Sequence, residues 1–153
     1  MNPAATLRRP AERAGTILAF DFGRRRIGVA VGETALGLAH PLATITADSD
    51  DDRLAAIGSL VREWQPALLV VGLPTHADGT AHAMTARAQR FARELEGRFQ
   101  VPVELADERW TTQLAQTALD QAGAGRKGRA VRDQVAAQTI LQGWFDDRGD
   151  ADT

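Results

Sequence analysis

The chain has no cysteine among its 153 residues. That excludes a disulfide framework, a thiolate zinc site and a cysteine nucleophile, and it suits the reducing cytosol. No apolar run approaches the ~20 residues needed to span a bilayer. Arg8, Arg9 and Arg13 are not followed by the apolar core of a signal peptide, because the stretch after them is broken by Asp21. A cytoplasmic protein with no membrane partner is the expectation. A strong net charge is also missing: −2 at pH 7 argues against a uniformly basic coat for nucleic acid. Neither an internal repeat nor a low-complexity linker divides the chain, and its length suits one domain with a real core.

What is present is an ordinary globular balance, 44% hydrophobic and 25% charged. The charge is unevenly placed. Of the 18 basic residues all but Lys127 are arginine, clustered at 24–26, 87–98 and 126–132. Arginine suits phosphate because its planar fork bonds two oxygens at once. Acids gather at 48–52 and 146–152. Residues 1–15 read as a flexible tail, 16–146 as the domain and 147–153 as an acidic, solvated C-terminal tail.

The stretch "TILAFDF" reads as a buried strand, and "RIGVAVGE" as a second, with Ile27, Val29 and Val31 alternating against Gly28, Ala30 and Gly32. A three-residue arginine linker between them suits an antiparallel hairpin. "LGLAHPLATI" is a third strand, placed by Pro41 at an edge or bulge. Then the period changes. Acids start a helix on which Leu54, Ile57, Gly58, Val61 and Trp64 share helical spacing, and Pro66 stops it. "ALLVVG" suits a strand buried on both faces, followed by the loop "LPTHADGT", to which Gly72, Pro74 and Gly79 give shape. The next helix carries Met84, Ala88, Phe91, Ala92 and Leu95 on one stripe, with Arg87, Arg90 and Glu94 off it. "VPVELA" is a further strand closed by "DER", and a short helix from Thr111 follows. "AGAGRKGRAV" reads as a glycine-rich basic loop before a last helix from about Val131 to Phe145. This order predicts an α/β fold: three antiparallel strands, then alternating helices and strands, in a mixed sheet with helices on both faces.

Three acids stand at element ends. Asp21 ends the first strand, Glu108 follows the last one, and Asp133 sits in the first turn of the last helix. Asp133 shares a face with Ala137, Ile140 and Trp144. A carboxylate on a core-facing stripe is costly unless it is paired or coordinates a metal. If the strands of Asp21 and Glu108 lie side by side in parallel, the three acids meet at one edge of the sheet. Oxygen ligands without His or Cys suit Mg²⁺ or Mn²⁺. One or two such ions, ~3.5–4 Å apart when paired, clamp a phosphodiester for in-line cleavage. Each acid also has a plainer reading. Asp21 with Gly23 makes a turn. Asp107 or Glu108 caps a helix. Asp133 favours a helix N-terminus by about 0.3–1 kcal/mol. Trp64, Trp110 and Trp144 read as core, although Trp110 beside "DER" is also placed to stack on a base.

Four stretches together resemble the YqgF (RuvX) family of the RNase H-like superfamily: "FDFGRRRIGVAV", "VVGLPTHADG", "DERWTTQLA", and "GRK" followed by "RDQVAAQTILQGWF". They stand in the family's order and cover the chain from about Ile17 to Phe145. The resemblance implies an RNase H-like fold and a metal-dependent nuclease site of Asp21, Glu108 and Asp133. Arg26, Arg109 and Lys127 fall on basic positions that accompany the motifs, as nucleic-acid contacts. It implies maturation of the 5′ end of precursor 16S ribosomal RNA, a structured RNA. Resolution of branched DNA, a Holliday junction, is the alternative, and a nucleic-acid-binding factor without turnover is a third. A monomer or a homodimer is compatible with these. One departure is visible: Gly32 and Glu33 stand where the family has Ser-Asp.

Overall fold

The computed structural model of the chain describes residues 15–23, 25–73, 79–107 and 126–152. Residues 1–14 of the expected tail, Arg24 and the expected helix from Thr111 lie outside them. The first seven elements are β1 (Thr16–Phe22), β2 (Arg26–Glu33), β3 (Leu38–Thr46), α1 (Asp50–Trp64), β4 (Leu68–Leu73), α2 (Gly79–Phe99) and β5 (Val103–Asp107). The eighth is α3 (Arg126–Asp152). Among the described residues no helix is long and apolar enough to cross a membrane.

The strands form one sheet in the order β3-β2-β1-β4-β5. β1, β2 and β3 are antiparallel neighbours, while β4 runs parallel to both β1 and β5. β5 is therefore parallel to β1 but not beside it, because β4 lies between them. The hairpin expected at the arginine linker is there: Gly23 N donates to Arg26 O at 3.0 Å. Pro41 sits in the edge strand where the register shifts opposite Val29 and Ala30, as its missing N–H requires.

Alternation along the strands divides the core in two. Leu18, Phe20, Phe22, Val29, Leu69 and Val71 point to one face, where α1 and α2 cover them. Ile17, Ala19, Ala30, Leu68, Val70 and Ala106 point to the other, which α3 covers with Ala137, Ile140, Leu141, Trp144 and Phe145. Each fully buried Leu or Ile contributes roughly 1.5–3 kcal/mol. Ser49 caps α1 by accepting from Asp52 N at 3.1 Å, and Gln65 ends it in the left-handed conformation, φ 45°.

α3 differs from the expectation at both ends. It begins at Arg126, inside the stretch read as a glycine-rich loop, and continues to Asp152. A lone glycine costs a helix about 1 kcal/mol, which a long packed helix absorbs. At the far end Arg148, expected in a solvated tail, pairs with Glu104 on β5 and lies 4.9 Å over the Trp144 ring. These contacts hold the last turns against the sheet.

Candidate active site

Three glycines decide where α3 lies. Gly28, Gly32 and Gly72 stand on the face that α3 covers. A Cβ on Gly28 would collide with the main-chain carbonyl of Asp133 and stand 3.1 Å from its Cα. A Cβ on Gly32 would lie 2.7 Å from a ring carbon of Phe145, and one on Gly72 would lie 2.5 Å from Ile140 Cδ1. The helix therefore rests on bare backbone. Gly72, at the end of the expected strand, lies within β4, and its missing side chain admits Ile140.

This seating brings two of the expected acids together. Asp21 pairs with Gly28 across the β1–β2 ladder and with Gly72 across β1–β4. Cα atoms of antiparallel partners stand about 4.5–5.5 Å apart. Asp21 has the parity of Ile17 and Ala19, so its side chain leaves the sheet on the α3 face. Asp133 stands on Gly28, directly beside it. Both residues are half-buried, and they stand 112 positions apart in the chain, at 21 and 133.

Arg26 joins them. It lies two residues before Gly28 on β2, hence on the same face and diagonal to Asp21. Its Nε donates to Asp133 Oδ2 at 2.6 Å. The arginine and aspartate side chains are 37% and 22% exposed, so the pair is open to solvent and to a ligand. Ordinary pairs of this exposure contribute about 0–1 kcal/mol, so this one positions more than it stabilises. Arg25, next to it at the hairpin tip, is exposed.

The other expected residues are placed only by their neighbours. Glu108 and Arg109 lie outside the described residues; they follow Asp107, which pairs with Leu73 one step beyond the Gly72–Ala106 pair. Lys127 lies in the first turn of α3, and its side chain is likewise not described. Among the described residues no three acidic or histidine side chains gather closely enough to hold a metal ion.

Sequence reasoning missed how α3 is aligned. Gln134, Gln138 and Gln142 recur every four residues on one edge of the helix. Gln134 Nε2 donates to Thr44 Oγ1 at 3.2 Å, and Thr44 Oγ1 donates to Ala130 O at 2.7 Å. Gln138 Nε2 donates to Ala39 O at 3.0 Å, and Ala39 N donates to Gln142 Oε1 at 3.0 Å. Gln142 Nε2 reaches Gly37 O at 3.0 Å. The edge strand β3 thus has its backbone at Ala39 met by the helix, which also blunts that edge. The four-residue glutamine spacing was the available signal.

Comparison with known proteins finds relatives along most of the chain. A family model described as RuvX, Holliday junction resolvase, matches residues 15–147. A protein of Methylobacillus flagellatus is 54% identical over 146 residues, covering 95% of this chain and 96% of its own. One from Dechloromonas aromatica is 59% identical over 133 residues, covering 86% and 91%. One from Chromobacterium violaceum is 57% identical over 136 residues, covering 88% and 99%. All three bear the name "Putative pre-16S rRNA nuclease". Among solved structures, T. thermophilus RuvC in complex with a Holliday junction substrate superposes with a TM-score of 0.56 at 14% identity, covering 88% of this chain and 96% of that one. That likeness is one of fold, the RNase H-like mixed sheet with helices on both faces.

Proposed function

This chain belongs to the RuvX family, and from that membership and its paired acids we propose that it is a nuclease hydrolysing phosphodiester bonds, acting in the cytoplasm on the 5′ end of precursor 16S ribosomal RNA. One observation supports the reading: the main chain of Asp133 is seated on Gly28, the ladder partner of Asp21, so two acidic residues from distant parts of the chain stand at one end of the sheet. The relatives' name supplies the substrate class.

Carboxylate oxygens without His or Cys are the donors that hard divalent cations prefer, so the residues present fit Mg²⁺ or Mn²⁺. Asp21 and Asp133 would hold the ion together with Glu108, and the bound ion supplies Lewis-acid activation of water and neutralises charge on the phosphodiester. Arg26 restrains Asp133 on the side of Asp21 through Oδ2. Its other N–H groups remain forked donors suited to a phosphate oxygen. Arg109 and Lys127 complete the proposed phosphate contacts near the strand ends and the start of α3.

The family's description favours a second reading, cleavage of a four-way DNA junction. Paired symmetric cuts in a junction need a homodimer, whereas one cut in RNA needs only a monomer. The test offers labelled precursor RNA and a labelled four-way junction side by side, to the parent protein and to Asp21→Asn. The RNA should be cut by the parent alone. Faster, paired cuts in the junction would replace RNA with DNA as the substrate, and undiminished cutting by Asp21→Asn would remove the site.

A further inference from the structure

The arginines at 87–98 take no part in the site above, and Arg53 is buried against the opposite face of the sheet. Phe22 follows Asp21 on β1, so its ring points away from α3 into the core beneath α1 and α2. It stacks on Phe91 of α2 with ring centroids 4.7 Å apart. Two guanidinium carbons lie over the Phe22 ring, Arg53 at 5.7 Å and Arg87 at 5.8 Å. Arg90 lines the same small recess as Phe22 and Arg87, with the carboxylates of Asp50 and Glu94.

Arg53 is the unusual member. It is only 4% exposed. Its Nε donates to Ala47 O at 3.3 Å. Its Nη1 stands 3.9 Å from Asp50 Oδ1, beyond hydrogen-bond reach, and finds no hydrogen-bond partner among the described residues. A buried charged donor left in this way is costly unless something else satisfies it. Asp50 is 69% exposed and does not do so.

We propose that Arg87 and Arg90, with Arg53 as a positioning residue against Phe22, form a second subsite, which binds a phosphate of the nucleic-acid backbone across the end of β1 from Asp21. The proposal rests on the nuclease reading above. Neighbouring strand residues point to opposite faces, so Asp21 and Phe22 set the two sites on either side of one strand end. A nucleic-acid strand lying over the ends of β1 and β4 meets both. Arg87 and Arg90, one helical turn apart, present forked donors from the surface. Arg53, buried and outside the recess lining, packs with Arg87 against the Phe22 ring and so positions the platform on which Arg87 rests.

Binding of labelled precursor RNA is read by fluorescence anisotropy, with chelator present so that nothing is cut. The variants are Arg87→Gln/Arg90→Gln and Arg93→Gln/Arg98→Gln, which remove equal charge from exposed positions of one helix; Arg93 and Arg98 do not line the recess. The first pair should weaken binding about tenfold and lower the slope of log K against log salt by about 0.7 for one lost single-strand phosphate. The second should change affinity less than about twofold. Arg53→Met, which keeps the buried volume, should also weaken binding. Parental affinity and slope in Arg87→Gln/Arg90→Gln, equal loss from both pairs, or parental affinity in folded Arg53→Met each overturns the subsite. Asp21→Asn separates the two readings. If it cuts as fast as the parent, the nuclease site fails whatever the arginines do. If it is inactive while Arg87→Gln/Arg90→Gln binds normally, the subsite alone fails.

Discussion

Gly28→Ala is the smallest change that should move Asp133. A methyl group there overlaps the main-chain carbonyl of Asp133, and main-chain atoms of a helix cannot turn aside as a side chain can. Carbon–oxygen contacts settle near 3.3–3.6 Å, so the first turns of α3 must retreat by about 1 Å or more. Overpacking of this kind costs typically 1–3 kcal/mol, or a fall in melting temperature of roughly 2–4 °C per kcal/mol at this chain length. The catalytic cost should be larger, because a misplacement of about 1 Å lowers a rate on the order of 10²-fold. Gly72→Ala is the control. Its new methyl meets Cδ1 of Ile140 at 2.5 Å and Cγ1 at 3.3 Å, side-chain atoms that can rotate aside, and stands at an ordinary 3.6 Å from the Phe20 carbonyl oxygen. Turnover of precursor RNA and thermal melting, measured on both variants, separate the effects. Gly28→Ala should lose about a hundredfold in turnover while staying folded, and Gly72→Ala should lose much less. Parental turnover in Gly28→Ala would refute the account of how α3 positions its acid.

Two further perturbations act on the same helix. Arg26→Gln removes the partner of Asp133 Oδ2; it should cost no more than about 1 kcal/mol in stability. Because it also removes a cation competing for that carboxylate, Mn²⁺ binding measured by calorimetry should tighten while RNA affinity falls; weaker Mn²⁺ binding would contradict this. Gln138→Ala/Gln142→Ala removes three hydrogen bonds to the backbone at Gly37 and Ala39. It should cost about 1 kcal/mol per bond in denaturant unfolding and speed amide exchange in β3; an unchanged unfolding midpoint would show that the glutamines do not dock the helix.

The strands and the apolar helix stripes were legible because their periods are local. Leu18 and Phe20 against Ile17 and Ala19, or Ala137 with Ile140 and Trp144, need no knowledge of the rest of the chain. Strand order was less so. The sequence left open whether β5 lies beside β1; β4 lies between them, because parallel order depends on crossovers whose routes no local pattern records. The pairing of Arg26 with Asp133 spans 107 residues and left no trace in spacing. The alternation of Gly28, Ala30 and Gly32 was visible, but what lies on that bare face was not. The start of α3 was read as a loop because glycine is abundant there, whereas packing of the later turns carries the helix through.

The central claim is that Asp21 and Asp133 act as one unit. Mn²⁺ is titrated against cleavage of labelled precursor RNA by the parent, Asp21→Asn, Asp133→Asn and the double variant, with folding checked by circular dichroism. Groups that work together are far from additive. Each single variant should lose on the order of 10³-fold at saturating Mn²⁺, and the double variant should be no slower than either. A folded single variant that cuts at the parental rate, or losses that multiply in the double variant, would contradict it.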